Sequence, residues 1–590
     1  MDKLIHKAQS FWAGVLALIL ARIHPGWPWL LLIVPATAPF WGEPCYAQSV
    51  GAQLPSPVQP YTRQVLPAIP AKPRPPEKIE MKAPQKLPPP DEADRTRLLS
   101  CLKLEGNTVY SGQELQYFYK DFLGTKVTLA GLYKIAGNIE QKYRSDGYLL
   151  TQVAVLEFNA EEESKDECIF QFRIVEGFIG ATRIEGDAGK LSAKIEAYLA
   201  NLVDVKPINQ SQIERYLLLI NDLPGVKAKS VLRPSRSQLG AADLYLRVER
   251  KPFDAAVVTN NRGSRFTGPW RGLLTGRANS VFGFGEGLET LLLRTLDSDE
   301  QYFGRLTYEQ PILDEGLTLN LSMSYGTSRP GASLTLLDIR TEALYAGMLL
   351  KYPLIRSRRE NFYLNLGFYA SETKVDQLGQ RFSNDHLRVV HGGGSYDFVD
   401  AWDGANSFNL DVRQGVQGLG ASSNDNPERS RLEGKSDFTA IQGYATRYQS
   451  LFGSAFGVYL AATGQYAFSS LLSNEEFRIG GEQFGRGYDP SELSGDSGFA
   501  TTIEIQYTVP TPFEIISFYQ IYSFYDFGVV FNYDTGADRS ASLMSNGLGL
   551  RAQLFDYFNI GLEIAFPLTR KVAAQNNNDP RLYLQVSARY

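Results

Sequence analysis

The last ten residues, RLYLQVSARY at 581–590, alternate with period two. Leu582, Leu584, Val586, Ala588 and Tyr590 fall on one face, and Tyr583, Gln585, Ser587 and Arg589 on the other. Successive side chains of a strand point to opposite faces, so this is a strand with one apolar and one polar side. Working back along the chain, the pattern returns in segments of roughly ten residues or more, and turn signals divide 253–590 into sixteen strands, among them 338–353, 359–374 and 385–399. A soluble sandwich of that many strands would leave edges to protect, whereas a closed barrel leaves none. The connections alternate between long (TSRPGASLTLL, GLGASSNDNPERSRLEGKS) and short (LDE, RSRR, LFDY). An even-stranded barrel with both ends of the chain on the periplasmic side has that alternation, and it makes 469–498 the sixth external loop. The expected fold is a 16-stranded antiparallel transmembrane β-barrel preceded by two small α+β units.

Composition agrees with long antiparallel sheets: 32 Tyr, 33 Phe and 53 Gly against five Met and three Cys. The net charge of -5 and scattered Lys and Arg give no basic field for nucleic acid. Mean hydropathy of -0.22 argues against a helical membrane protein and leaves a barrel open.

At the N-terminus, Lys3 and Lys7 precede two short apolar runs and a small-residue exit at Ala47, the plan of a signal peptide over 1–47. Residues 48–97 follow as a linker, with twelve prolines between Gly51 and Pro90. Two units of order β-α-α-β-β come next, at 98–177 and 178–252. The mature chain then keeps two cysteines, Cys101 and Cys168, and two histidines, His386 and His391. So few ligands and bases suggest no catalytic group, no cofactor and no metal site.

Residues 480–499 read GGEQFGRGYDPSELSGDSGF, a glycine-punctuated loop with Arg486 at its centre. Two strands later lies FYDFG, 524–528. Its apolar phase includes Tyr525, Phe527 and Val529, so Asp526 and Gly528 take the lumen-facing phase. A carboxylate on a barrel wall needs water or a cation, and a guanidinium on a folded-back loop can supply a bidentate partner. A solvated arginine on an external loop is the alternative.

Phe477, Gly480, Gly481, the Arg486-Gly487-Tyr488 core and Ser494-Gly495-Asp496 resemble the loop-six signature of the outer-membrane protein 85 superfamily, with Gly485 where valine is usual. FYDFG is similar to that family's F-x-D-x-G motif. The two repeats resemble POTRA domains. Together with Asn260–Gly272 they point to the TpsB transporters of two-partner secretion, the hemolysin and filamentous-adhesin secretor type. The resemblance implies a loop lock made by Arg486, Gly487, Tyr488, Asp526 and Gly528. It also implies a function: export of a TpsA-type adhesin or cytolysin through the barrel without ATP. The proline-rich stretch departs from the plug helix with which such transporters often begin.

From this follow the remaining expectations. The localisation is the outer membrane of a Gram-negative bacterium, with POTRA domains in the periplasm. The partners are the secreted client, outer-membrane lipid and the barrel assembly machinery that reads an aromatic C-terminus; no nucleic acid is expected, and the chain acts as a monomer. Edge strands carrying Val153, Val155, Lys229 and Val231 would dock the client by strand addition. Cys101 and Cys168, on strands that should be neighbours in the first POTRA unit, would form a disulfide. A barrel-assembly insertase is the rival within the superfamily, and a passive porin or receptor the rival outside it.

Overall fold

A computed structural model of the chain describes residues 94–157, 170–451, 455–511, 515–533, 539–555 and 557–590. The expected signal peptide and nearly all of the expected linker lie outside them, as does Cys168. The linker's far end needs a correction. Thr96–Leu98 is already a strand, antiparallel to Lys126–Thr128. The last proline is Pro90, so nothing after it interrupts a ladder.

In the first unit Leu102–Glu105 pairs in parallel with Phe170–Val175, and Gln152–Glu157 pairs antiparallel on the other side. Helix Leu129–Ser145 starts at Thr128, whose hydroxyl accepts the Gly131 N–H, and buries Leu132, Ile135, Ala136, Ile139 and Tyr143 along one stripe. The first helix of the expected β-α-α-β-β order, in the amphipathic stretch 111–124, is only one turn, Gly112–Gln116, and a separate 3-10 turn, Lys120–Phe122. A capping box between Ser111 and Glu114 opens it. The aromatic run Tyr117-Phe118-Tyr119 then loses side-chain freedom in a helix, and Tyr119 turns into the core instead.

The second unit repeats the plan. Phe178–Gly186 runs parallel to Ala241–Arg250, which pairs antiparallel with Val226–Pro234, under helices Ser192–Ala200 and Gln210–Asn221. Leu150, from the first unit, is buried in the core of the second. The second unit in turn grips the barrel. Asp222 takes a bidentate pair from Arg356 at 2.6 and 2.7 Å, Arg215 donates to the Pro353 carbonyl at 2.9 Å, and Lys194 meets Asp314 at 3.1 Å. Its helices therefore sit against the short turns at the barrel's near end.

Sixteen strands, from Phe253–Asn260 to Arg581–Arg589, form one closed antiparallel barrel. The alternation of the last strand holds: Leu582 and Tyr590 are exposed and Tyr583 is buried. Leu274, Leu292, Leu306, Leu366, Leu410 and Leu548 are exposed on the same outer wall. Such a girdle would be a liability in water and matches a hydrocarbon surround. Closure is brief: strands one and sixteen share only the five pairs from Gln585↔Asn260 to Arg589↔Ala256, whereas strands seven and eight share eighteen. The Asn261 side chain extends the seam as a peptide group would, donating to the Leu582 carbonyl at 3.0 Å and accepting the Leu584 N–H at 2.8 Å.

The expected alternation of loop lengths fails at the fourth external connection. Strands Glu360–Gln377 and Gln380–Val399 run to a two-residue turn at Leu378-Gly379, both at positive φ, where the sequence reading has a loop over 375–384. The upper half of this hairpin is polar on its outward face, with Glu372, Lys374, His386 and Arg388, so the strand continues beyond the apolar girdle and its alternation disappears from the sequence.

Candidate functional site

Between strand eleven, Phe456–Ala467, and strand twelve, Ser497–Pro510, the chain turns back into the barrel. Phe477–Ile479 and Leu493–Gly495 pair as a small hairpin whose tip, 480–492, reaches the inner wall. Phe477, Ile479, Phe484, Tyr488 and Leu493 pack with Ala500, Val530 and Leu543 of the wall, so an apolar core inside the lumen holds the hairpin. Room for it is made by missing side chains. A Cβ at Gly528 would stand 2.8 Å from Ile479 Cδ1, and one at Gly487 would stand 2.8 Å from the Pro567 backbone nitrogen and 2.9 Å from Ser545 Cβ. Gly485 has φ +99°, which disfavours the valine usual at this place in the resembling family.

At the tip Arg486 is buried and fully engaged. Its Nη2 donates to Asp526 Oδ1 at 2.8 Å and Nε to Oδ2 at 3.2 Å, the bidentate fork expected from the sequence. The Arg486 backbone N–H adds a third bond to Asp526 Oδ2 at 2.8 Å, and Ser545 and Thr502 donate to the same carboxylate. Asp526 is thus held by loop and wall together. On its other side Arg486 Nη1 donates to Glu504 Oε2 at 2.7 Å, and the guanidinium lies 3.5 Å over the Phe524 ring.

The lock is one part of a larger charge network. Glu504 is shared with Arg551, 2.6 Å away, which stacks on Tyr522. Glu563 accepts from Arg262 of the first external loop at 3.0 Å and from the Tyr522 hydroxyl at 2.8 Å. Three arginines and three carboxylates, with Tyr522, Phe524 and Tyr583 as faces, close a polar layer across this side of the lumen. Tyr488 caps the next connection: its hydroxyl accepts the backbone N–H groups of Thr569 and Arg570 at 3.2 and 3.3 Å. Ser264 of the first loop donates to Asp489 at 2.7 Å, and Arg581 pairs with Asp489 as well.

Of the five expected lock residues, Arg486 and Asp526 meet directly, whereas Gly487 and Gly528 make room for the hairpin and Tyr488 holds the connection after strand fifteen. Sequence reasoning missed Thr502, Arg551, Glu563 and Arg262; it included the strand of Glu504 and Phe524 in the resembling motifs without giving either as a partner of the lock. Strand periodicity places Thr502 and Glu504 on the lumen phase, two residues apart, and that was the available signal. Arg262 carries no such signal, because only the closure of the barrel brings the first loop to strand fifteen.

The expected client edges are sheet edges. Among the described residues, Gln152–Glu157 pairs only with Phe170–Val175, and Val226–Pro234 only with Ala241–Arg250. Their side chains differ: Val153 is buried in the core, Val155 is half-buried, and Lys229 and Val231 are exposed. Asn221 reads the direction of the second edge, because its side chain accepts the Ala228 N–H at 2.8 Å and donates to the Ala228 carbonyl at 3.1 Å. Ser230, two residues on, presents its backbone the same way. Cys101 is disulfide-bonded, just ahead of the strand whose Leu102 is in register with Phe170. Its expected partner, Cys168, is outside the described residues. Among the described residues no group of three or more His, Cys, Asp or Glu side chains could hold a metal ion.

Comparison with known proteins agrees with this architecture. A POTRA domain of ShlB type matches residues 98–162, and the model for haemolysin secretion/activation proteins ShlB/FhaC/HecB matches residues 240–552. The heme/hemopexin transporter protein HuxB of Haemophilus influenzae is 24% identical over 480 residues, covering 79% of this chain and 82% of the relative. The hemolysin transporter protein HpmB of Proteus mirabilis is 24% identical, covering 62% and 65%. The solved structure of CdiB from Escherichia coli superposes with a TM-score of 0.70 at 16% identity, covering 86% of this chain and 94% of that one, so the likeness is one of fold. With more than half of its length matched by one family model, the chain belongs to the haemolysin secretion/activation family ShlB/FhaC/HecB, an outer-membrane β-barrel preceded by POTRA structure.

Proposed function

We propose that the protein is an outer-membrane translocase that exports one large, extended TpsA-type partner, an adhesin or cytolysin, through its barrel without nucleotide hydrolysis. The observation that carries this reading is the nature of the lumen filling. A hairpin occupies the lumen and is held there by side-chain contacts, with no strand of the barrel wall contributed by it. Such a filling can shift while the wall stays closed. The chain acts as a monomer and reaches the membrane through the barrel assembly machinery.

Client enters from the POTRA side. The edge around Lys229 and Val231 offers backbone groups to an extended segment, and strand addition would tie affinity to the client's backbone and specificity to its alternate side chains. A Cys101–Cys168 disulfide would join the two parallel strands of the first POTRA unit, and mass spectrometry of the unreduced mature protein checks it. Finding Cys168 alkylatable without reduction would remove that pairing.

The test of the translocase reading is secretion of a candidate TpsA-type partner co-expressed with the protein. Arg486→Ala should abolish release into the medium while a heat-modifiable barrel still reaches the outer membrane. Normal release by that variant would defeat the reading that the loop lock serves translocation.

A further inference from the structure

The fifth external loop, residues 416–438, does not project outward. Ser422, Ser436 and Phe438 are buried, and Phe438 packs with Leu387, Val389, Leu471 and Leu472 at the mouth of the lumen. One side of this loop rests on strand eight, above the point where that strand stops pairing with strand nine at Val389. The Val416 N–H donates to the Arg388 carbonyl at 2.8 Å, the Ser422 N–H to the His386 carbonyl at 2.9 Å, and the Asn384 N–H to the Glu428 carbonyl at 2.7 Å. The loop residues involved are six apart, not two, so the loop covers a strand edge without forming a strand. Such a cover can lift away piecemeal and leave the strand intact.

Its other side holds the base of loop six. Arg431 donates through Nη1 to Asp496 Oδ1 at 2.5 Å and through Nη2 to Oδ2 at 3.2 Å, and gives a further bond to the Leu471 carbonyl at 2.9 Å. Asp496 is fully buried and also accepts the backbone N–H groups of Leu471 at 2.7 Å and Tyr533 at 2.9 Å. Loops five, six and seven thus converge on one carboxylate. Beside it the Lys435 N–H donates to the Ser470 carbonyl and the Ser473 N–H to Ser430 Oγ, both at 3.0 Å. The hairpin inside the barrel is therefore pinned by a bidentate arginine at each end: Arg486 at the tip from within, Arg431 at the base from a different loop.

We propose that Arg431 is a second positioning residue for translocation: loop five is a hinged cover over the external mouth, and its Arg431–Asp496 latch must open before loop six can leave the lumen. The geometry makes the two anchors serial. Releasing the tip alone leaves the hairpin tied at its base, and releasing the base alone leaves the tip on the wall while uncovering the mouth. The latch rests on the translocase reading for its purpose, but its existence can be measured with ions alone.

The experiment uses the full mature chain in planar lipid bilayers with potassium chloride as the probe, together with amide hydrogen exchange in micelles. Arg431→Ala, shown to be folded by its heat-dependent gel shift, should raise the frequency of large-conductance openings several-fold. It should also speed exchange at the Asn384 and His386 amides, which point at loop five. Arg431→Lys keeps the charge without the fork and should lie between the two. If Arg431→Ala does not assemble, Arg431→Gln provides the same readings, since its amide still donates to the Leu471 carbonyl while the fork on Asp496 is lost. Native conductance together with native exchange in the assembled variant overturns the latch, and because no client is present, that result leaves the translocase reading standing.

Discussion

The tip of loop six and the free edge of the second POTRA unit both present polar groups, and they present them in opposite conditions. At the tip, Arg486 and Asp526 are buried and their polar atoms are met by Thr502, Glu504, Ser545 and backbone. At the edge, Lys229 and Val231 are exposed, and the backbone of Ser230 faces outward beside a position that Asn221 has already capped. In the first place the partner is part of the chain; in the second it has to arrive. A substitution in the lumen should therefore act on structure and function together, and one at the edge on function alone.

The largest effect should come from Arg486→Ala. It leaves Asp526 buried without its cation, Glu504 keeping Arg551, a change of about 3–5 kcal/mol in the seating of loop six. The whole barrel need not unfold, because the sixteen-strand ladder is independent of the pair. Protease sensitivity of loop six in intact cells, with the heat-dependent gel shift as control, checks this. Arg486→Lys should fall between, retaining charge but losing the fork over Phe524. If both variants keep the loop protected, the lumen site is no different in kind from the edge.

Next in size are the seating glycines, and the two sharpen each other. At Gly487 an added methyl would meet backbone and Cβ atoms of the wall that cannot turn aside, whereas at Gly528 it would meet the far end of Ile479. Gly487→Ala should destabilise the seated loop by about 1–3 kcal/mol and Gly528→Ala by less. The same protease assay ranks them, and equal effects would argue against contact with the wall as the cause.

Between lumen and edge stands Glu176 in the first POTRA unit, half-buried and accepting the Thr108 and Val109 N–H groups at 2.7 and 3.0 Å and the Tyr143 hydroxyl at 2.8 Å. Burial alone would raise its pKa, but the hydrogen bonds from Thr108, Val109 and Tyr143 outweigh it and hold the carboxyl below its ordinary value. Its folded pKa is depressed, so its contribution is present above the unfolded pKa of about 4.3 and is lost as pH falls through the folded value. Thermal melts of the protein in micelles should show the POTRA transition weakening below about pH 4, and Glu176→Gln should reduce that dependence, leaving the part owed to Asp146 and Glu114.

The smallest structural effect belongs to Ser230→Pro. Its N–H points away from the sheet, so proline there removes no ladder bond. Stability should stay within about 0.5 kcal/mol of the native protein, while client release falls. Proline at Val153 is a poorer probe, since that side chain lies in the core of its unit. Unchanged release with Ser230→Pro would take the edge out of the docking path.

For Arg486 the residues alone left a solvated arginine open, and only the family resemblance favoured Asp526 as its partner, whereas the sequence by itself determined the barrel and its strand number. These rest on local rules: period-two alternation persists wherever one strand face meets an apolar surround, and it also assigns Asp526 to the lumen phase. Alternation fails where the outward face turns polar beyond the girdle, and so the tip of the tall hairpin around Leu378-Gly379 reads as a loop. It fails again at 111–124, where aromatic spacing resembles a helical stripe but Tyr119 is needed in a core. What only the tertiary structure decided is which distant residues share the lumen. Arg262 comes from the first loop, far along the chain from Arg551 and Glu563 on strands fourteen and fifteen, and Arg431 meets Asp496 across two loops. No periodicity links such positions. They are brought together by closure of the sheet, which sets strand fifteen two places from strand one and turns the external loops toward one another over a single opening.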